Sequence, residues 1–376
     1  MIKKIAIFGS TGSIGTQSLE VLRTFPDKFE VVALSALQNA ELLEKQATNC
    51  RSQLGPLDKK TINSLIAPAD YVINAVPGFE GLLVSLQTVK AGKVLLAANK
   101  ESLAIAGRHL CMIAKKTGAQ IRPLDSEASA IWQLIFDHGR ENVASATLTC
   151  SGGPFFGKKS EDLKFVTAKD ALAHPTWQMG PKVSIDSATL INKILEAYEV
   201  SNLFDIPITK IQIVIHRQSV VHSMIHTYSG ATKMHITQCD MRLPISYALN
   251  YPEQPSCPWQ IKRTRKSELS FDTPDAETFR PIKWFAMHKG NPIFPIALNA
   301  LNDIAVSRFL SGKIGFLDIY DFIENGLQKW LYTQPPNTLE EIISLHHRIQ
   351  HSRLEGVRSS DYQNREANAT GGSNLL

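Results

Sequence analysis

Cysteine is scarce. Cys50, Cys111, Cys150, Cys239 and Cys257 are spread over 376 positions, odd in number and with no close pair. Such spacing leaves no disulfide framework and no paired-cysteine zinc or redox motif, and it suits reduced thiols in a cytosol. Long apolar runs are missing too. Met1-Ile2-Lys3-Lys4 has the look of a secretion signal, but the apolar stretch Ile5–Phe8 ends at Gly9, short of the roughly 7–15 residues a signal core needs. Nothing approaches the roughly 20 apolar residues of a membrane span, and a soluble, cytoplasmic protein is expected. Nor is there a large charge excess: 40 basic and 35 acidic residues leave +5, with no basic stripe to track nucleic acid. The sharpest basic stretch, His346-His347-Arg348 through Arg358, reads as a solvated face.

Hydrophobic residues make up 43% and charged residues 20%, an ordinary globular balance in a chain long enough for two or three domains. Over the first hundred residues short apolar runs alternate with helix-compatible stretches. Ile5-Ala6-Ile7-Phe8, Val31-Val32-Ala33-Leu34, Tyr71-Val72-Ile73-Asn74 and Val94-Leu95-Leu96-Ala97 read as four buried parallel strands of a βαβ sheet. Residues 45–65 are weakly patterned, and no strand is expected there. From about residue 120 strands such as Thr147–Cys150 and Ile211–His216 mix with one clear helix after Asp186. Pro252, Pro255, Pro258 and Pro274 mark an irregular connector. Helical segments are expected near 296–310, 317–331 and 338–353, then a disordered tail.

Gly9-Ser10-Thr11-Gly12-Ser13-Ile14-Gly15 follows the first strand at once and opens a helix. Glycines let the backbone approach a pyrophosphate, and the helix start offers N–H groups and a favourable dipole. The spacing is G-x-x-G-x-x-G, and a tight strand-to-helix turn would also account for it; the N-terminal βαβ context favours a dinucleotide. After the second strand, Leu34 to Asn39 holds no acid for a ribose 2′-hydroxyl, which points to NADP by elimination, yet it holds no Arg or Lys for a 2′-phosphate either.

Pro123-Leu124-Asp125-Ser126-Glu127 follows a strand-like stretch. If extended, Asp125 and Glu127 point the same way and suit a divalent cation; as a segment alone, helix capping accounts for both acids as well. Ser151-Gly152-Gly153-Pro154-Phe155 offers a phosphate a hydroxyl and exposed N–H groups, or is a plain turn. In the string from Ala173 to Glu196, Asp186 or Ser187 is a good N-cap. Leu190, Ile191, Ile194, Leu195 and Tyr198 form an apolar stripe, opposite Asn192, Lys193 and Glu196. That polar face is either solvated or, with Ser187 and the His174-Pro175-Thr176-Trp177 loop, a set of phosphate donors beside a metal-ready carboxylate.

These segments resemble the 1-deoxy-D-xylulose 5-phosphate reductoisomerase family. The resemblance rests on the Gly9–Gly15 loop, Ala98–Ser102, Leu124–Glu127, Ser151–Phe155, the whole His174–Glu196 string, His222-Ser223-Met224, Asp240-Met241-Arg242 and Pro295–Asn302. It spans roughly residues 1–350. It implies an α/β fold: an N-terminal Rossmann-like doubly wound parallel sheet that binds NADPH (1–122, shortened near 45–65), a central α+β catalytic domain (123–255), a linker (256–284), a C-terminal helical domain (285–355) and a disordered tail (356–376).

The resemblance also implies a homodimer, a phosphorylated ketose substrate, and Mn, Mg or Co held by Asp125, Glu127 and Glu196. Thr11, Gly12, Ser13 and Ile14 would hold the NADPH pyrophosphate, with Asn39, Asn99, Glu101 and Gly180 as further contacts. Ser151, His174, Ser187, Asn192 and Lys193 would take the substrate phosphate. Lys100, Ser126 and Glu127 would lie by the reacting carbons, and Trp177 would cover them. The implied reaction breaks and remakes a carbon–carbon bond, then delivers hydride, giving 2-C-methyl-D-erythritol 4-phosphate.

Two departures stand out. Leu37-Gln38 replaces the family's Gly and basic residue, and the segment at 45–65 is shorter, as if an edge strand and helix were missing. Two rival readings carry less of the sequence. Another NADP-linked reductase explains the loop but not the acids, and a decayed, non-catalytic binding protein is at odds with the intact carboxylates and phosphate donors.

Overall fold

The computed structural model describes residues 1–177, 179–256, 259 and 268–352. The expected tail (356–376) and part of the expected linker lie outside the described residues. The chain begins with β1 (Lys3–Phe8), α1 (Ser13–Arg23), β2 (Phe29–Ser35), α2 (Ala40–Cys50), β3 (Gln53–Leu54), α3 (Lys59–Ile66), β4 (Tyr71–Asn74), α4 (Gly81–Lys90), β5 (Val94–Ala97), α5 (Lys100–Thr117) and β6 (Gln120–Pro123). These strands pair in the order β3-β2-β1-β4-β5-β6, all parallel, the order of a doubly wound nucleotide-binding sheet.

Ile5, Ile7 and Phe8 of β1 are buried, each worth roughly 1.5–3 kcal/mol over exposure. Burial on both faces is why the strands read as unbroken apolar runs rather than alternations. The sheet corrects the expectation of four strands. β6 extends one edge, and β3 stands at the other, in the segment where no strand was expected. β3 is two exposed residues paired with Ala33 and Leu34, too short to show a period. The Ser35 hydroxyl donates to Gly55 O just beyond it at 2.7 Å.

Next come α6 (Ser126–His138), β7 (Val143–Cys150), α7 (Ser160–Leu163), α8 (Ala168–Leu172), α9 (Pro181–Ala188), α10 (Ile191–Phe204), β8 (Ile211–Ile215), β9 (Val221–Thr227), β10 (Thr232–Ile236) and α11 (Arg242–Asn250). A second sheet, β10-β9-β7-β8, is antiparallel except for the parallel pair β7 and β8. The helix expected to start at Asp186 or Ser187 starts elsewhere. Both residues lie inside α9, which Pro181 opens at a position that needs no N–H. Leu190, at φ 65, takes the left-handed conformation, and α10 begins after that break.

The chain ends with α12 (Arg280–His288), α13 (Phe294–Leu310), α14 (Phe316–Trp330) and α15 (Leu339–Gln350). α12 opens inside the segment expected as a linker. Contacts divide the chain into two compact units. One holds 1–151, 176–180 and 193–274, and the other 152–175, 181–192 and the chain from Asp275 on. In the second unit α13 is buried all round from Phe294 to Asn302, and the helix packs against α9, α14 and α15. His346 on α15 is fully buried, its Nε2 3.1 Å from Asn299 Nδ2, which corrects the solvated reading of that stretch. No described helix is long and apolar enough to cross a membrane.

Candidate active site

The Gly9–Gly15 loop joins β1 to α1 at the carboxyl ends of the strands, beside β4, where the strand order reverses. Such switch points form the ligand crevice of open α/β sheets. Two glycines are steric necessities. Gly9 has φ +83, and a Cβ there would lie 2.5 Å from Ala75 O; at Gly15 it would lie 2.3 Å from Gly9 O. Gly12 is the N-cap of α1, with no side-chain cap and no acid in the first turn, so the dipole end is open to an anion. Thr11 Oγ1 donates to Gln38 O at 3.0 Å, tying this loop to the turn after β2. There Asn39 stands at φ 60 and caps α2 through Leu42 N.

Asn99 and Glu101 open α5 and are buried. Asn99 Nδ2 donates to Gly78 O at 2.8 Å, and Glu101 Oε1 accepts from Gly78 N at 2.9 Å. Both therefore fix the loop that follows β4, which borders the same crevice. Gly180, the remaining expected cofactor contact, is exposed.

The expected metal ligands come together. Asp125, Glu127 and Glu196 each offer an oxygen within 4.8 Å of the others. The capping and metal readings of Asp125-Ser126-Glu127 prove compatible. Asp125 caps α6 by accepting from Glu127 N at 3.2 Å, and Glu127 sits in the first turn. The extended geometry expected for this pair is thereby corrected, since the helix has already begun.

The Asn192-Lys193-Glu196 side of α10 is not solvated: Lys193 is 4% and Glu196 1% exposed. Lys100 Nζ lies 2.6 Å from Asp125 Oδ2 and 2.7 Å from Glu196 Oε1. Lys193 Nζ pairs with Glu127 Oε1 at 3.1 Å and with Glu196 Oε2. Lys193, expected among the phosphate donors, thus stands in the carboxylate cluster. Ser126 Oγ donates to Glu127 Oε2 at 2.6 Å, and His222 Nδ1 lies 3.9 Å from Glu127 Oε1.

Protonation follows from these neighbours. Burial opposes the Lys100 charge, but Asp125, Glu196 and Glu199 outweigh it and hold the ammonium well above the lysine range. Lys193 is likewise raised, by Glu127 and Glu196 against burial. Burial acts against Glu127 also, yet Lys193, His222 and the Ser126 hydroxyl keep it ionised well below the usual range. Glu196 goes the other way, pushed up to about 7 by burial and by Asp125. Paired acids driven apart in this manner mark functional sites more often than structural ones.

Trp177 is half-buried, its ring 6.3 Å from that of His222. With Ser126, His235 and Tyr247 the two line a cavity of about 220 Å³. His235 is held down to about 4 by burial and by His222. It carried no motif signal in the sequence, while His222 lay in a resembling segment without an assigned role. Ser151 follows β7, and its carbonyl accepts from Arg217.

His174, Ser187 and Asn192 belong to the other unit. There a Cβ on Gly153 would meet Ser187 O at 2.9 Å, so glycine is needed where that loop passes α9. α9 is held from inside the unit: Lys182 Nζ pairs with Asp186 Oδ2 at 2.7 Å and Asp303 Oδ1 at 3.3 Å, and Asn302 Nδ2 donates to Asp186 Oδ1 at 2.7 Å.

The family model "1-deoxy-D-xylulose 5-phosphate reductoisomerase" matches residues 5–65 and 56–107. Its "C-terminal domain" model matches 121–204, and the model "DXP reductoisomerase C-terminal domain" matches 236–352. A 1-deoxy-D-xylulose 5-phosphate reductoisomerase of Thermoanaerobacter sp. (strain X514) is 40% identical over 93% of this chain and 98% of its own length. The enzyme from Thermomicrobium roseum is also 40% identical, over 90% and 94%. Among solved structures, the reductoisomerase from Zymomonas mobilis in complex with NADPH superposes with TM-score 0.81 at 31% identity, over 93% of this chain and 97% of that one. A DOX-P reductoisomerase in complex with magnesium gives TM-score 0.84 at 30% identity, over the same shares. The chain belongs to the 1-deoxy-D-xylulose 5-phosphate reductoisomerase family.

Proposed function

We propose that Asp125, Glu127 and Glu196 hold the divalent cation with which this enzyme converts 1-deoxy-D-xylulose 5-phosphate to 2-C-methyl-D-erythritol 4-phosphate, using NADPH. One observation carries the assignment: three carboxylates, Glu196 buried and the other two mostly so, with ligand oxygens inside 4.8 Å of one another. An all-oxygen donor set suits a hard cation such as Mg or Mn. Two lysines share the site, as charges so crowded require compensation. The cation, when bound, polarises substrate oxygens and stabilises negative charge at the reacting carbons.

The remaining roles are those that the family likeness implies. Thr11, Gly12, Ser13 and Ile14, at the open start of α1, bind the NADPH pyrophosphate. Asn39, Asn99, Glu101 and Gly180 are further cofactor contacts, with Asn99 and Glu101 acting through the loop they pin. Lys100 and Ser126, beside Glu127, orient the reacting end of the substrate. Ser151, His174, Ser187, Asn192 and Lys193 receive its phosphate, and binding energy gained there orients the distant carbons. Trp177 covers the substrate and excludes water. We also take the enzyme to be a cytoplasmic homodimer. The four described cysteines are free thiols, which supports a reducing compartment, and the dimer rests on the family likeness.

The test is NADPH oxidation with 1-deoxy-D-xylulose 5-phosphate, in Mn and in EDTA, for the unmodified enzyme and Glu196→Gln. Metal-dependent turnover that vanishes in the variant, with the fold kept, is expected. Near-normal turnover by Glu196→Gln would overturn the ligand set.

A further inference from the structure

Glu199 has no part in the roles above. It stands three residues after Glu196 on α10, on the same side of the helix, and is fully buried. Neither of its carboxyl oxygens receives a hydrogen bond from any described residue. Burial, then Asp125, Glu196 and Glu101, hold its carboxyl well above the ordinary range, and Lys100 is the cation that acts the other way and favours its charge. Lys100 in turn feels three acids but bonds only two, Asp125 at 2.6 Å and Glu196 at 2.7 Å.

Those two are the acids assigned to the metal. A divalent cation placed on them removes both acceptors from the Lys100 ammonium and repels it. Lysine can respond, because its charge is a point at the end of a flexible four-carbon stem. Other acceptors nearby are already served. Glu127 has Lys193 and Ser126, and Glu101 has Gly78 N and Asn99 Nδ2. Glu199 alone among these acids has unmet capacity.

We propose that Glu199 is a positioning residue that receives the Lys100 ammonium when a divalent cation takes Asp125 and Glu196. The inference rests on the carboxylate reading of the metal site. Glu199 keeps the ammonium in the site, beside the substrate, and lowers the energetic cost of admitting the cation.

Mn binding to the full chain, without substrate or NADPH, tests this by following free Mn in an electron paramagnetic resonance titration. Glu199→Gln keeps shape and removes charge. It is expected to weaken Mn binding by about 10- to 100-fold, the usual effect of losing a group behind the ligands. In a Lys100→Met background the same substitution is expected to change binding by no more than about twofold, the non-additivity that marks two coupled residues in a double-mutant cycle. Binding by Glu199→Gln as tight as that of the unmodified enzyme overturns the proposal. So does an equal loss with and without Lys100, which would mean that Glu199 acts on the cation directly. Glu196→Gln separates the two levels: full Mn affinity in that variant overturns the ligand set itself. If Glu199→Gln does not fold, a crystal of the unmodified enzyme grown with Mn decides. Lys100 Nζ at about 3 Å from a Glu199 oxygen is expected, and Nζ still bridging Asp125 and Glu196 refutes it.

Discussion

Lys193→Met removes one of the two ammoniums that balance the buried acids. Lys193 pairs with Glu127 and Glu196, and the three side chains are 5%, 12% and 1% exposed. Stranding one partner of such a buried pair costs roughly 3–5 kcal/mol. Protonation limits the loss, because Glu196 already stands at about 7, so the lower end, about 3 kcal/mol, is expected near neutral pH. At roughly 1–2 °C per kcal/mol for a chain of 376 residues, melting falls by about 3–6 °C.

The pH dependence has a definite sign. Burial works against Glu127, but Lys193 and His222 hold it well below its usual range. Its stabilisation is therefore complete above the unfolded value of about 4.3 and fades as pH falls through the folded one. In the variant that support is gone and burial raises the acid, so the gap to the unmodified enzyme widens from about pH 4 upward. A divalent cation can replace the missing charge. At about 100 times its dissociation constant it stabilises by roughly 2.7 kcal/mol, enough to bring the variant in Mn close to the unmodified enzyme in EDTA. Thermal melts at about pH 4.5 and pH 7.5, in EDTA and in Mn, supply the measurement. Melting of the variant within about 2 °C of the unmodified enzyme at the higher pH, or a gap indifferent to pH, would refute the charge balance described here.

Three further outcomes are expected. Gly9→Ala, whose Cβ would lie 2.5 Å from Ala75 O at φ +83, should weaken NADPH binding at least tenfold by fluorescence titration while leaving Mn affinity unchanged. Gln38→Arg should raise the preference for NADPH over NADH by about 10-fold or more in kcat/KM, since a charge-assisted bond adds roughly 1.5–3 kcal/mol; the loop is expected to hold, because Gln38 meets Thr11 through its backbone oxygen. Asp186→Ala takes a buried partner from Lys182 and Asn302 and should destabilise by about 2–4 kcal/mol in denaturant unfolding, with a raised KM for substrate if α9 carries the phosphate site.

How much of this could be read in advance depended on how many residues carried each signal. The buried strands showed as runs of Ile, Val and Leu, and α13 to α15 showed as long helical segments. β3 was invisible because two exposed residues, Gln53 and Leu54, have no period. The break at Leu190 was hidden because a left-handed leucine leaves no composition mark. Polarity alone left the face of Lys193 and Glu196 open to a solvated reading, and it made His346 look solvated. Burial reversed that, since their partners come from distant parts of the chain, as Lys100, Glu127 and Asn299 do. Glu199 went unnoticed for the same reason: a lone acid among apolar helix residues signals nothing until its surroundings are known.

The opening turn of α5 has a further consequence. Asn99 and Glu101 brace the loop after β4, while Lys100, between them, reaches into the carboxylates. One turn of helix thus borders the switch-point crevice and the carboxylate cluster together. A designer who retunes cofactor choice at Asn99 or Glu101 will shift the lysine as well, and chemistry will change with specificity. Residues 37–39, at the end of β2, hold no carboxylate of the cluster, and they are where the two properties can be altered separately.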